Sequence, residues 1–213
     1  MQRTLRTAAI ALLIAATAAA ANAPDPWDKL MRGNQRYVAG HLTYSHLASL
    51  RQALRGHQNP KVTVISCADS RVPPELMFDS TIGDLFVVRV AGNVIDDFNL
   101  ASVEYAASPV NKWTDVIVVI GHESCGAVKE ALSSNTEFGS PALNALVAKI
   151  RANLGGSKPP LEEAVKLNAR ASAAQLMKSE IIRQARGRGM KIFYAYYSFD
   201  GKVTKLGEIQ ASE

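Results

Sequence analysis

A chain of 213 residues, 47% apolar and 20% charged, is the size of one domain with a full core. Its net charge of +5 is small, and no basic run or aromatic-basic stripe stands out, which argues against nucleic acid as a partner. Two cysteines, Cys67 and Cys125, are too few for a disulfide scaffold.

Residues 1–23 read as a secretory signal peptide. Arg3 and Arg6 form a basic start, Ala8 to Ala16 an apolar stretch, and the following alanines offer small-x-small cleavage sites near Ala20 to Ala23. Pro24 disfavours a cut directly before it. The alternative is an uncleaved membrane anchor, but the apolar stretch falls short of the ~20 residues a span needs and is mostly alanine. Arg3 and Arg6 are not adjacent, so there is no twin-arginine signal. The expected mature protein is a single domain, 24–213, periplasmic or secreted, with no membrane contact after cleavage. In an oxidising compartment two thiols usually pair. Either Cys67 and Cys125 do so, or something else holds both sulfurs.

Trp27 to Ala39 carries apolar residues at helical spacing and stops at Gly40; its apolar side can pack on its own domain or on a second subunit. Leu47, Leu50 and Leu54 suggest a second short helix, completing an N-terminal helical arm. Val62 to Ile65 is a buried strand that runs into Cys67, Asp69 and Arg71. A short helix can start at Pro74. Leu85 to Val90 is a strand, Leu100 to Ser108 a helix, and Val116 to Ile120 the most apolar strand, expected at the sheet centre. Helices are expected from about Ala127 to Leu132, over Ala142 to Asn153, and as one long segment from Leu161 to Arg186. Ile192 to Tyr197 is a strand, Asp200-Gly201 a tight turn, and Val203 to Leu206 an antiparallel edge strand. The predicted class is α/β: a mostly parallel four-stranded sheet with an added antiparallel edge strand and helices on both faces.

Two strands end in chemistry. One delivers Cys67, the other His122-x-x-Cys125, and in a parallel sheet both ends lie on one edge, where open α/β sheets keep their sites. Taken singly, each has a plain alternative: a buried core cysteine, a loop histidine, a surface ion pair between Asp69 and Arg71. Together, two thiols and an imidazole match the tetrahedral, sulfur- and nitrogen-rich preference of zinc, with the fourth position left for water or for Asp69. Zinc would also shield both sulfurs from pairing. Cys125 falls at a helix start, where the helix dipole favours thiolate.

Cys67-Ala68-Asp69-Ser70-Arg71, followed about fifty residues later by Gly121-His122-Glu123-Ser124-Cys125-Gly126, resembles the signature of the β-class carbonic anhydrases, and the resemblance extends from about Trp27 through the C-terminal hairpin. It implies reversible hydration of CO2 to bicarbonate and a proton, with one Zn2+ per chain on Cys67, His122 and Cys125. It implies an Asp69–Arg71 dyad, with Asp69 as fourth ligand in a closed state. It further implies Gln58, Phe86 and Tyr105 as substrate-binding residues, a homodimer or multiple of dimers with the pocket at the interface, and N-terminal helices that embrace the partner. Bound zinc lowers the pKa of a water, so that hydroxide is available to attack CO2. Two thiolates add negative charge that works against this unless neighbours compensate. Asp69 then orients the hydroxide, and Gln58 donates to a substrate oxygen. Departures are Ala68 where serine is frequent, Arg89-Val90 where Arg-Asn is frequent, and Val64 where some relatives carry a tryptophan linked to bicarbonate regulation. His41, His46 and His57 are candidate proton carriers, with solvated surface roles as the alternative. Two other functions fit the same residues: hydrolysis of a related heterocumulene, carbonyl sulfide or carbon disulfide, and non-catalytic zinc binding. The second needs neither the dyad nor Gln58.

Overall fold

The computed structural model describes residues 25–43 and 45–210. The segment read as a signal peptide lies outside them. Among the described residues, no helix is long and apolar enough to cross a membrane.

The elements, in chain order, are α1 Pro26–Val38, α2 Leu47–Ala53, β1 Val62–Ser66, α3 Pro74–Met77, β2 Leu85–Arg89, α4 Asp97–Ala107, β3 Val116–His122, α5 Gly126–Leu132, α6 Pro141–Asn153, α7 Leu161–Gln175, α8 Glu180–Gly187, β4 Lys191–Tyr197 and β5 Val203–Glu208. Single 3-10 turns occupy Ala91–Asn93 and Leu176–Lys178. The sheet order is β2-β1-β3-β4-β5, with the first four strands parallel and β5 antiparallel to β4. The most apolar strand, β3, is central, as expected.

The two-residue period of the strands sorts their side chains onto two faces. Val62 and Val64 of β1, Val116, Val118 and Ile120 of β3, and Phe193 and Ala195 of β4 join one core, which α1, α5, α6 and the first half of α7 cover. Ile65, Val88, Ile117, Val119 and Ile192 join the other, under α4, the end of α7 and α8. Gly121 lets α7 lie close on β3, because a Cβ there would meet Val165 Cγ1 at 2.6 Å.

Asp25 caps α1 by accepting from the Trp27 amide, and Pro26 suits the first turn. Trp27 and Leu30 are buried on this same chain, each gaining on the order of 2 kcal/mol from burial. Trp27 meets Phe193 edge-on at 5.1 Å. Asn34, also buried, donates to the carbonyls of Met77 and Gly201 and accepts from the Val203 amide, so α1 is tied to both α3 and the C-terminal hairpin. By contrast, α2 buries none of its residues.

Two boundaries differ from expectation by more than two residues. The helix expected at Leu100 begins at Asp97, because Asp96 caps it through the Asn99 amide. The single long helix expected from Leu161 to Arg186 is two helices. Ser179 stops the run: its hydroxyl accepts from the Ile182 amide, starting α8, and donates to Glu104 of α4. A side chain that offers the backbone a cap competes with continuing the helix.

Candidate metal centre

β1 and β3 are adjacent and in register, Ser66 opposite Ile120, so both release their chains at the same sheet edge. Cys67 follows β1 directly. His122 is the last residue of β3, and Cys125 caps α5 three residues later. The two sulfurs and one imidazole nitrogen lie within 4.8 Å of one another, and all three residues are buried. Both cysteines are free.

The imidazole is set for a cation. Nδ1 lies 2.9 Å from the Glu123 carbonyl, which can only accept, so Nδ1 carries the proton. That leaves Nε2 with a bare lone pair, and Nε2 is buried without a hydrogen-bond partner. Metal-ligating histidines show this same division between the two nitrogens. An orphaned buried nitrogen facing two thiols is costly in a protein interior unless a metal satisfies it, and a donor set of two sulfurs and one nitrogen suits zinc.

The thiols titrate as a pair. The neighbouring Cys125 thiol pulls Cys67 down to about 4 against the opposing effect of burial, and the amides of Asp69 and Gly92 add to the fall. The Cys67 neighbour, with burial, pushes Cys125 far up. The Gly92 amide donates to Cys67 Sγ at 3.3 Å. Gly92 has φ +66, and a Cβ there would meet Ile150 Cδ1 at 2.7 Å, so glycine brings this amide to the sulfur without backbone strain or displacement of Ile150. Asn168 of α7 donates to the Gly92 carbonyl and holds the turn in place.

Asp69 is occupied by Arg71. Arg71 Nε and its backbone amide both donate to Oδ1 at 2.9 Å, and Nη2 donates to Oδ2 at 2.7 Å. This guanidinium fork holds the Asp69 carboxyl well below the usual carboxylate range. Asp69 Oδ2 lies 4.0 Å from His122 Nε2. Of the two arrangements open to Asp69, the structure adopts the one in which Arg71 takes both carboxylate oxygens. Arg89 clamps the backbone between them, donating to the carbonyls of Cys67 and Asp69.

The other expected site residues stand elsewhere. Phe86 pairs in register with Thr63, four residues before Cys67 and so ~13 Å back along the strand at ~3.3 Å per residue. It packs with Tyr105 and Trp113 in an aromatic trio, with ring centroids 5.4–6.5 Å apart. Tyr105 is 55% exposed. Gln58 is exposed ahead of β1, beyond the end opposite Cys67. Within one chain, these three are not brought to the Cys67–His122–Cys125 centre. His41, His46 and His57 are all exposed.

Arg89, Gly92, Asn168 and Phe199 also support the site, and reading the sequence did not find them in that role. The Phe199 ring lies over the Arg71 guanidinium at 4.4 Å. Faint signals existed: a polar Arg89 in an otherwise apolar strand, and glycine in the Ala91-Gly92-Asn93 loop beside the strand ends.

A family model described as Carbonic anhydrase matches residues 62–203. A carbonic anhydrase of Mycolicibacterium smegmatis is 38% identical over 196 residues, covering 86% of this chain and 94% of its own length. Carbonic anhydrase 2 of Mycobacterium tuberculosis is 47% identical over 109 residues, 51% of this chain and 52% of its own. Among solved structures, a tetrameric β-carbonic anhydrase of Sordaria macrospora superposes with a TM-score of 0.67 at 26% identity, over 76% of this chain and 89% of that one.

Proposed function

This chain belongs to the β-class carbonic anhydrase family, and from that premise we propose that Cys67, His122 and Cys125 hold one zinc ion per chain. The enzyme interconverts CO2 and bicarbonate with release or uptake of a proton. The single observation that carries the zinc assignment is the bare, buried Nε2 of His122 facing two thiols. When bound, zinc supplies a Lewis acid that makes a water nucleophilic near neutral pH.

The chain's own residues do the rest. Asp69, kept ionised by Arg71, accepts a hydrogen bond from the attacking water and so aims its lone pair at CO2. Arg71 holds both carboxylate oxygens in one plane, which fixes the direction of that acceptor. Gly92, steadied by Asn168, donates to Cys67 and withdraws some of the sulfur's charge, offsetting part of the penalty that two thiolates place on water activation.

The substrate pocket, in this reading, is completed by a second copy that brings its own Gln58, Phe86 and Tyr105. Three features support it: these residues lie away from their own chain's centre, β2 is a half-exposed edge strand, and α2 is uncovered. The Sordaria relative is itself tetrameric. The mature protein holds one catalytic domain, 24–213, and works after export to the periplasm or beyond. Mass spectrometry of exported protein is expected to find an N-terminus between Ala20 and Pro24; an intact Met1 would refute export with cleavage.

Stopped-flow CO2 hydration, with zinc quantified on the same sample, tests the whole reading. The expected result is about one zinc per chain and turnover that tracks zinc content. A protein without metal, its Cys67 and Cys125 joined as a disulfide, would overturn it. No feature of the site favours carbonyl sulfide or carbon disulfide over CO2, and the dyad argues against a purely structural zinc.

A further inference from the structure

Asp69 is claimed by two positive charges, the Arg71 guanidinium and the metal that the neighbouring ligands are built to hold. The carboxylate lies close enough to His122 Nε2, at 4.0 Å, for a cation on that nitrogen to attract it strongly. What keeps it with Arg71 therefore matters. The ion pair alone is a weak restraint, because the Arg71 side chain is 53% exposed, and solvated pairs are screened and cost side-chain freedom to hold.

A second contact restrains Arg71. The Arg71 guanidinium carbon lies over the Phe199 ring, 4.4 Å from its centroid. The fork engages Asp69 through Nε and Nη2 while the π face of the ring meets the guanidinium carbon, so the two contacts use different atoms and do not compete. Phe199 is itself pinned. Its amide donates to Glu123 Oε2 at 2.8 Å, and the Glu123 amide donates to the Tyr197 carbonyl at 2.8 Å. Glu123 follows the ligand His122 in sequence, and its carbonyl takes the His122 Nδ1 proton. The turn bearing Phe199 is closed by bonds between Ser198 and Lys202 and between Gly201 and Ser198, and Asn34 anchors it from α1. Glu123 thus ties the orientation of the imidazole to the placement of the ring that stacks on Arg71.

We propose that Phe199 is a positioning residue, a latch that keeps Arg71 on Asp69 and so holds the Asp69 carboxylate off the Cys67–His122–Cys125 centre. Loosening the latch lets Asp69 shift to the metal and compete for its fourth position. The inference rests on the reading that this centre binds a metal.

The test uses the full mature chain reconstituted with Co2+ and titrated with thiocyanate, a probe that needs the fourth position free, while the visible cobalt bands are followed. Phe199→Ala is expected to keep one metal per chain and to weaken apparent thiocyanate affinity about two- to fivefold, the range that an exposed cation–π contact supplies. The kcat/KM for CO2 on the zinc form should fall in step. Phe199→Trp restores both and Phe199→Leu does not, which also carries the test if the alanine variant folds poorly. In an Asp69→Asn background, Phe199→Ala should have no further effect on thiocyanate binding. A leucine variant equal to wild type, an unchanged alanine variant, or an alanine effect that survives Asp69→Asn would each overturn the latch. If Asp69→Asn alone leaves turnover at the wild-type level, the role of the dyad fails, and the latch with it.

Discussion

Asp69→Asn is expected to lower kcat/KM for CO2 hydration by about 100-fold or more, the scale of a lost general-base or orienting contact, while zinc stays at one per chain. The carboxylate accepts three donors from Arg71, two from the side chain and one from the backbone, and is fixed as an anion by them. Asparagine keeps the shape but not the charge. Its amide oxygen can serve one arm of the fork, and its NH2 then points a donor where an acceptor is needed, either at Arg71 or at the attacking water. The loss should fall on kcat/KM and not on folding, because the dyad stands at the surface end of the site and carries none of the core. Thermal denaturation of the variant is expected within a few degrees of wild type, on the scale of a surface substitution. Wild-type turnover with full zinc would remove Asp69 from the chemistry.

Losing a ligand should be more severe. His122→Gln and Cys125→Ser are each expected to abolish measurable zinc retention after dialysis and to bring CO2 hydration to the uncatalysed rate. Each replaces a donor in a buried set with a weaker one. In the glutamine variant the Glu123 carbonyl loses its imidazole donor, and the buried lone pair that Nε2 presents is gone. The same variants should lose the metal-linked part of stability. Wild-type protein is expected to melt higher with zinc than after chelation, by RT ln(1 + [L]/Kd), about 4 kcal/mol when free zinc is 1,000 times Kd. The ligand variants should show no such rise. Catalysis surviving in a variant shown to be free of zinc would sink the metal mechanism.

The Cys67–His122–Cys125 cluster was legible because its members lie at or just beyond the ends of strands that the residue pattern marks clearly. Val62 to Ile65 and Val116 to Ile120 are β-prone, largely apolar runs, and adjacent parallel strands must release their chains at one edge. Asp69 and Arg71 were legible for the same reason, being two and four residues past Cys67. What stayed hidden comes from distant parts of the chain. Asn168 reaches Gly92 across 76 residues, and Phe199 meets Arg71 from a turn that the sequence marks only by Asp200-Gly201. No local pattern encodes such meetings; they follow from packing α7 and the β4–β5 hairpin onto the sheet. The break between α7 and α8 was missed because the helical spacing continues through Ser179, and its partner Glu104 lies on another element. Phe86, Tyr105 and Gln58 were expected at the site by resemblance alone, and a single chain keeps them away from the centre.

Asn34 has one more consequence, for the order in which the molecule is made. It bonds forward across 167 and 169 residues to Gly201 and Val203, so the first helix closes on the last hairpin. Synthesis runs from the amino end, and local segments form before distant ones meet. A growing chain that has reached Gly126 already carries both thiols and the imidazole, yet it lacks β4, the turn with Phe199, and α7 with its hold on Gly92. For that interval the candidate ligands exist without the rest of the scaffold around them. Completion of the final hairpin therefore brings in the last pieces around these side chains, and a chain truncated ahead of it would carry both thiols without the turn that sets Phe199 over Arg71.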